Sequence, residues 1–162
     1  ISEYKRAIDI DPNFAEAYFN LGVASNERGN LKEAVGYYQK VLQINPNYIE
    51  AHNNLGNIYF RMGKLEEAFS EYQKAIEIKP DYARGYYNIG NVYRQKGKIE
   101  EAISSFQRAL EINPKYGEAH YHLALIYYEK KEFKLAIEHA DQAGRSGMIV
   151  DSKFLERLKP YR

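Results

Sequence analysis

Four histidines, His52, His120, His122 and His139, are the side chains of this chain best suited to move a proton or hold a metal near neutral pH. Their spacing argues against both roles. His120 and His122 stand two apart, so on a helix they point to different faces and cannot share an ion. His52 and His120 occupy a slot that Tyr18 and Tyr86 fill elsewhere in the chain, which makes them packing aromatics, and His139 falls among residues expected to be exposed. The chain has no Cys, which removes thiolate nucleophiles, disulfides and thiolate-bound metals. The carboxylate doublets Glu66-Glu67 and Glu100-Glu101 open helices, where acidic side chains complement the dipole by about 0.3–1 kcal/mol each. There is no phosphate-cradling Gly motif, no His-Glu-x-x-His and no Gly-x-Ser-x-Gly. The expectation is a non-enzymatic module with no catalytic residue, no metal and no cofactor.

The elements that carry these residues are set by a repeat. Of five prolines, four fall at 12, 46, 80 and 114, each 34 residues after the last. A fixed period of this size marks a stacked array. With each of these prolines at repeat position 32, the units are 15–48, 49–82, 83–116 and 117–150. Residues 1–14 match the end of a preceding unit and 151–162 form a tail. Position 8 reads Gly22, Gly56, Gly90, Ala124, and position 20 reads Ala34, Ala68, Ala102, Ala136. Between them run larger apolar columns, such as Leu21, Leu55, Ile89, Leu123 at position 7 and Tyr38, Tyr72, Phe106 at position 24. Steps of three and four sort these columns into two helices per unit. The small residues at positions 8 and 20 are expected to face each other and let the two backbones approach.

The punctuation agrees with that division. Gly29, Gly63 and Gly97 stand between the helices, where a left-handed residue ends the first one. Asn-Pro and similar pairs stop the second helix, and Asn13, Asn47 and Asp81 follow as expected N-caps. The fourth unit has Lys131 in the Gly slot. A left-handed turn there costs about 1–2 kcal/mol, so a different turn is expected. In the tail, Phe154, Leu155 and Leu158 form the apolar stripe of a short helix expected to cap the last apolar face. Tyr4, Ala7, Ile8 and Ile10 match a second helix that lacks its first. That predicts further repeats upstream and an open N-terminal face able to dock a second copy.

These columns resemble the tetratricopeptide repeat (TPR) family. Its aromatic, Leu-Gly, Tyr, Ala, aromatic, Ala and Pro pattern is met by His52, Leu55-Gly56, Tyr59, Ala68, Tyr72, Ala75 and Pro80. The third unit meets it with Tyr86, Ile89-Gly90, Tyr93, Ala102, Phe106, Ala109 and Pro114. The resemblance implies an all-α, right-handed superhelical TPR solenoid of antiparallel helix pairs, one continuous domain with a short C-terminal capping helix. It also implies that first-helix positions 2, 5, 6, 9, 12 and 13 line a concave groove.

Those positions hold seven of the chain's 12 Asn, where an even spread would place about two. Asn20, Asn54 and Asn88 recur at position 6, one per unit, beside Asn53, Asn57 and Asn91. Asn is a poor helix-interior residue, and its amide offers both a donor and an acceptor to a peptide group. The row is similar to the asparagine ladder in the TPR superhelix of O-GlcNAc transferase, which holds peptide backbone; His122 ends it in the fourth unit. Phe19, Tyr87 and Tyr121 supply apolar contacts, and Arg84 and Arg94 the groove's cations. The chaperone-tail clamp of other TPR domains needs a Lys at position 5, where Phe19 and Asn53 stand here.

The expected function is a scaffold that binds an extended peptide or protein segment. The alternative is a substrate-recruiting TPR module of a larger, glycosyltransferase-like enzyme. With 23 basic against 22 acidic residues the formal net charge is +1, which argues against nucleic acid as a partner. A pentatricopeptide-type RNA binder would repeat at 35 residues and be basic. No apolar run approaches the roughly 20 residues of a membrane span, so no membrane insertion is expected. With no export signal, the expected compartment is the cytoplasm.

Overall fold

The computed structural model describes residues 2–162, and the described secondary structure is entirely helical. The chain divides into two compact units, one ending at Pro80 and the other comprising Asp81–Arg162.

In the first unit α1 (Ser2–Ile10) packs on α2 (Ala15–Glu27), which pairs with α3 (Leu31–Ile44). Helix α3 then packs on α4 (Ile49–Arg61), which pairs with α5 (Leu65–Ile78). The core lies where α3 meets α4, among Ala34, Tyr38, Val41, Ala51, Leu55 and Ile58. No residue of α1 is buried, and Ile10 keeps 85% of its surface exposed.

In the second unit α6 (Ala83–Gln95) pairs with α7 (Ile99–Ile112), and α8 (Gly117–Glu129) with α9 (Phe133–Arg145). Helix α10 (Ser152–Leu158) follows, then a 3-10 turn at Lys159–Tyr161. Asp151 caps α10 by accepting the Lys153 N–H at 3.2 Å. Phe154 and Leu158 are buried in one cluster with Phe106, Leu123, Ala136 and Ala140. The apolar stripe expected in the tail therefore covers the end of the α8–α9 pair.

Three local expectations need correction. The N-caps of α2, α4 and α6 are Phe14, Tyr48 and Tyr82, not Asn13, Asn47 and Asp81. At α2 and α4 the Asx side chain before the proline accounts for this, and the same turn precedes α8; before α6 Lys79 stands ahead of Pro80, so no such turn sets the cap there. Asp11 and Asn45 accept the N–H of Asn13 and Asn47, and Asn113 that of Lys115. These Asx-turns set the loop and start the helix one residue later.

The turn at Lys131 does not differ from the others. Lys131 adopts φ +62°, beside +79°, +74° and +73° for Gly29, Gly63 and Gly97. Its neighbour Glu132 donates to the Tyr127 carbonyl at 2.8 Å, as Lys64 does to Tyr59 at 2.9 Å. The hydrogen bonds and packing of the helix pair hold the lysine in the left-handed region despite its Cβ.

The third correction concerns the small residues. What needs Gly at position 8 is the ring at position 24 of the paired helix. A Cβ on Gly56 would meet Tyr72 Cε1 at 2.6 Å, and one on Gly90 would meet Phe106 Cε1 at 2.6 Å. In the fourth repeat the pair is Ala124 with Ala140, so both partners changed together.

Candidate functional site

The first helix of each pair has one buried side and one half-buried side. In α2, Ala17, Leu21, Gly22 and Ser25 are buried, while Phe19, Asn20, Val23 and Asn26 are half-buried. The same division holds in α6, where Tyr87 and Asn91 are half-buried and Arg84 and Arg94 exposed. In α8 Tyr121, His122, Leu125 and Tyr128 are half-buried. Two of the expected groove amides lie deeper: Asn53 is 1% exposed and Asn88 9%.

The position-24 rings reach this face with their hydroxyls. In the first unit Asn54 Nδ2 donates to Tyr38 Oη at 3.3 Å and Asn54 Oδ1 accepts from Asn53 Nδ2 at 3.4 Å. Tyr72 Oη donates to Asn57 Oδ1 at 2.8 Å, and its burial pushes the phenol's pKa up. Asn26 Oδ1 accepts from Arg61 at 2.8 Å, joining α2 to α4. Asn20 makes no side-chain hydrogen bond among the described residues. Phe19 stacks on Tyr48 with centroids 5.0 Å apart.

In the second unit Phe106 replaces the position-24 tyrosine, and Asn91 lies beside Tyr87, whose phenol burial pushes up and Asn91 pulls down. Tyr87 packs against Tyr116 (5.0 Å) and Phe106 (5.8 Å). His122 stacks on Phe106 at 5.4 Å, and its Nδ1 is buried with no hydrogen-bond partner among the described residues. Burial, with Arg94 adding to it, holds its pKa down to about 4. Burial likewise pushes the Tyr116 phenol up to about 12, against the opposing charge of Arg84. Tyr121 meets Phe154 edge-on at 5.9 Å, and Arg157 of the tail lies over Tyr128 at 4.6 Å.

The remaining histidines sit between the helices of a pair, at position 4 facing position 23. His52 is buried, its Nε2 bonded to the Pro46 carbonyl at 2.9 Å and its Nδ1 to Glu71 at 2.6 Å. Burial opposes the charge on Glu71, yet the bonds from His52 and Lys74 outweigh it and lower its pKa. His120 repeats the first contact, at 3.1 Å to the Pro114 carbonyl, and its Nδ1 meets His139 Nδ1 at 2.9 Å. His139 is thus half-buried and stacked on Tyr127, not among exposed residues as expected. Burial first, then His120, lowers its pKa. Tyr18 with Tyr37 fills the same pair of positions in the first repeat, at 6.5 Å. The position 4 to 23 contact was missed because it needs the two helices laid side by side. Its signal was the aromatic column at position 4, whose rings need partners. No cluster of three or more His or carboxylate side chains converges as a metal site among the described residues.

Sequence profiles of one family cover this architecture. Tetratricopeptide repeat profiles match residues 47–115 and 87–147, and a TPR repeat profile matches 1–25 and 26–63. The chain is a member of the tetratricopeptide-repeat family. No curated protein sequence matches it. Among solved structures, a crystal structure of MamA superposes with a TM-score of 0.78 at 26% identity, over 89% of this chain and 84% of that one. MamA 41-end from Desulfovibrio magneticus RS-1 gives 0.77 at 25% identity, over 89% and 81%. PilF of Pseudomonas aeruginosa gives 0.89 over 98% of this chain and 73% of that one; at 24% identity that likeness speaks for the fold alone. Repeats of this family bind protein partners and are generally non-catalytic scaffolds. No helix among the described residues of this TPR chain is long and apolar enough to cross a membrane.

Proposed function

We propose that this TPR chain is a non-enzymatic scaffold that holds an extended peptide or partner segment on the half-buried face of its first helices. The observation that carries the reading is the state of that face. Amides and aromatics there are neither sealed in the core nor fully solvated. In the first unit Phe19, Asn20 and Asn54 are the contacting set, with Asn57 beside them. In the second unit it is Tyr87, Asn91 and Tyr121, with Arg84 and Arg94 at the edges. Asn53 and Asn88, being buried, support the helices that present the others.

Half-burial suits a peptide ligand. Each amide already held by a tyrosine or a neighbouring Asn has lost side-chain freedom, so less is lost when a peptide group binds. Asn20 offers a donor and an acceptor at once. The test is binding of a labelled, unstructured peptide to the wild-type chain and to variants with alanine at Asn20 and Asn54 or at Asn91. Loss of a hydrogen bond to a peptide group should weaken binding by about fivefold to tenfold per site. Unchanged affinity in all of these variants, with helicity intact, would overturn the reading.

A further inference from the structure

Helix α6 breaks a charge rule that its three counterparts keep. Position 2 lies in the first turn, where the helix dipole favours a carboxylate. Glu16, Glu50 and Glu118 hold that position in α2, α4 and α8, whereas α6 has Arg84 and no acidic residue along its length. The dipole disfavours a cation at that end, so this arginine stands against a local preference. Arg84, Tyr87, Asn91 and Arg94 follow one another at steps of three, four and three, which makes a single stripe on the helix.

Both guanidiniums are exposed, and neither forms an ion pair among the described residues. Arg84 lies close enough to Tyr116, and Arg94 to His122 and Tyr87, for their charges to act on those rings. Glu118 of α8 is the carboxylate whose field reaches Tyr87 and Tyr116. His122 is held uncharged by burial at neutral pH and so adds no third cation beside the arginines. Two cations therefore flank an aromatic ring with one carboxylate nearby.

We propose that the α6 stripe selects an acidic extended peptide, with one carboxylate side chain for Arg84, one for Arg94 and an apolar side chain between them against Tyr87. The choice of partner rests on the peptide-binding reading above. Ten residues of helix separate the two arginines, about 15 Å. Four to five residues of extended chain, at about 3.3 Å each, span that distance. Arg is suited to the task because its planar fork meets a carboxylate with two hydrogen bonds.

The experiment measures fluorescence anisotropy with three labelled nonapeptides of Gly and Ser around a central Phe. They differ only in carrying two Glu, two Gln or two Lys, spaced five residues apart. In low salt of about 50 mM the Glu peptide should bind at least about tenfold tighter than the Gln peptide, an advantage that shrinks near 300 mM. The double variant R84Q/R94Q should erase the advantage, so that on that variant the Glu peptide binds no tighter than the Gln peptide. R84E/R94E should turn the preference toward the Lys peptide. Equal affinity for the Glu and Gln peptides, or an advantage that survives R84Q/R94Q, overturns the inference. In either case binding of the Gln peptide leaves the scaffold reading standing. If none of the three peptides binds, both readings fall.

Discussion

The contact between Gly90 and Phe106 makes a prediction whose sign depends on its partner. Replacing a helix-interior Gly by Ala ordinarily stabilises by about 0.5–1 kcal/mol, because the unfolded chain loses freedom. Here the added Cβ would stand 2.6, 2.8 and 3.0 Å from Cε1, Cδ1 and Cζ of Phe106. That ring has no exposed surface, so it cannot swing aside into solvent. Overpacking of this kind costs about 1–3 kcal/mol, which outweighs the propensity gain and leaves Gly90→Ala destabilising by about 1 kcal/mol. Phe106→Ala alone removes a fully buried ring and should cost about 3–5 kcal/mol. In that background the Cβ at position 90 meets no ring, so Gly90→Ala should become stabilising by about 1 kcal/mol. The double-mutant cycle therefore carries a coupling of about 2 kcal/mol. Urea unfolding of the four proteins, followed by far-UV circular dichroism, reads it directly. The same effect of Gly90→Ala in both backgrounds would refute the claim that the ring imposes the glycine. The fourth repeat carries both changes at once, with Ala124 and Ala140 buried in the same cluster.

Lys131→Gly should raise stability by about 0.5–1 kcal/mol, the relief of a left-handed lysine less the greater freedom of glycine when unfolded. An unchanged or lower melting temperature would count against strain at that turn. His122 has a folded pKa of about 4 against an ordinary 6.5, so the folded state resists its protonation. Stability is then full above pH 6.5 and falls as the pH drops toward 4, by up to about 3 kcal/mol. His122→Phe should remove most of that fall in urea titrations at several pH values; an equally steep profile in the variant would refute it. Glu71→Ala leaves the Nδ1 of buried His52 without its 2.6 Å partner and should cost about 3 kcal/mol. The pair swap His52→Tyr with Glu71→Tyr, copying Tyr18 and Tyr37, should recover most of that loss in the same assay.

The proline period was enough to place the helices because each unit repeats its punctuation. Pro46, Gly63 and Pro80 mark helix ends by covalent geometry alone, which no tertiary contact has to supply. What stayed hidden was of another kind. Tyr38 Oη lies beside Asn54, and His120 beside His139, across sequence separations of 16 and 19. Composition cannot show such pairs, since each partner has a sufficient reason to be where it is in its own column. Comparing two columns does reveal another pair of this kind. Wherever position 8 is Gly, position 24 is a ring, and where it is Ala, position 24 is Ala.

The same comparison bears on how the binding face is to be understood. The Asn column at position 6 is not uniform once its neighbours are counted. Asn20 has no side-chain partner among the described residues, Asn54 is bonded at both ends, and Asn88 is buried. Three identical residues therefore hold three different amounts of unused hydrogen-bonding capacity. A ligand held by a uniform ladder would lose similar affinity at each rung. One bound to this face should depend most on Asn20, less on Asn54 and least on Asn88. The rank order of single alanine variants then separates a ladder fixed by residue type from a site shaped by what each residue already touches.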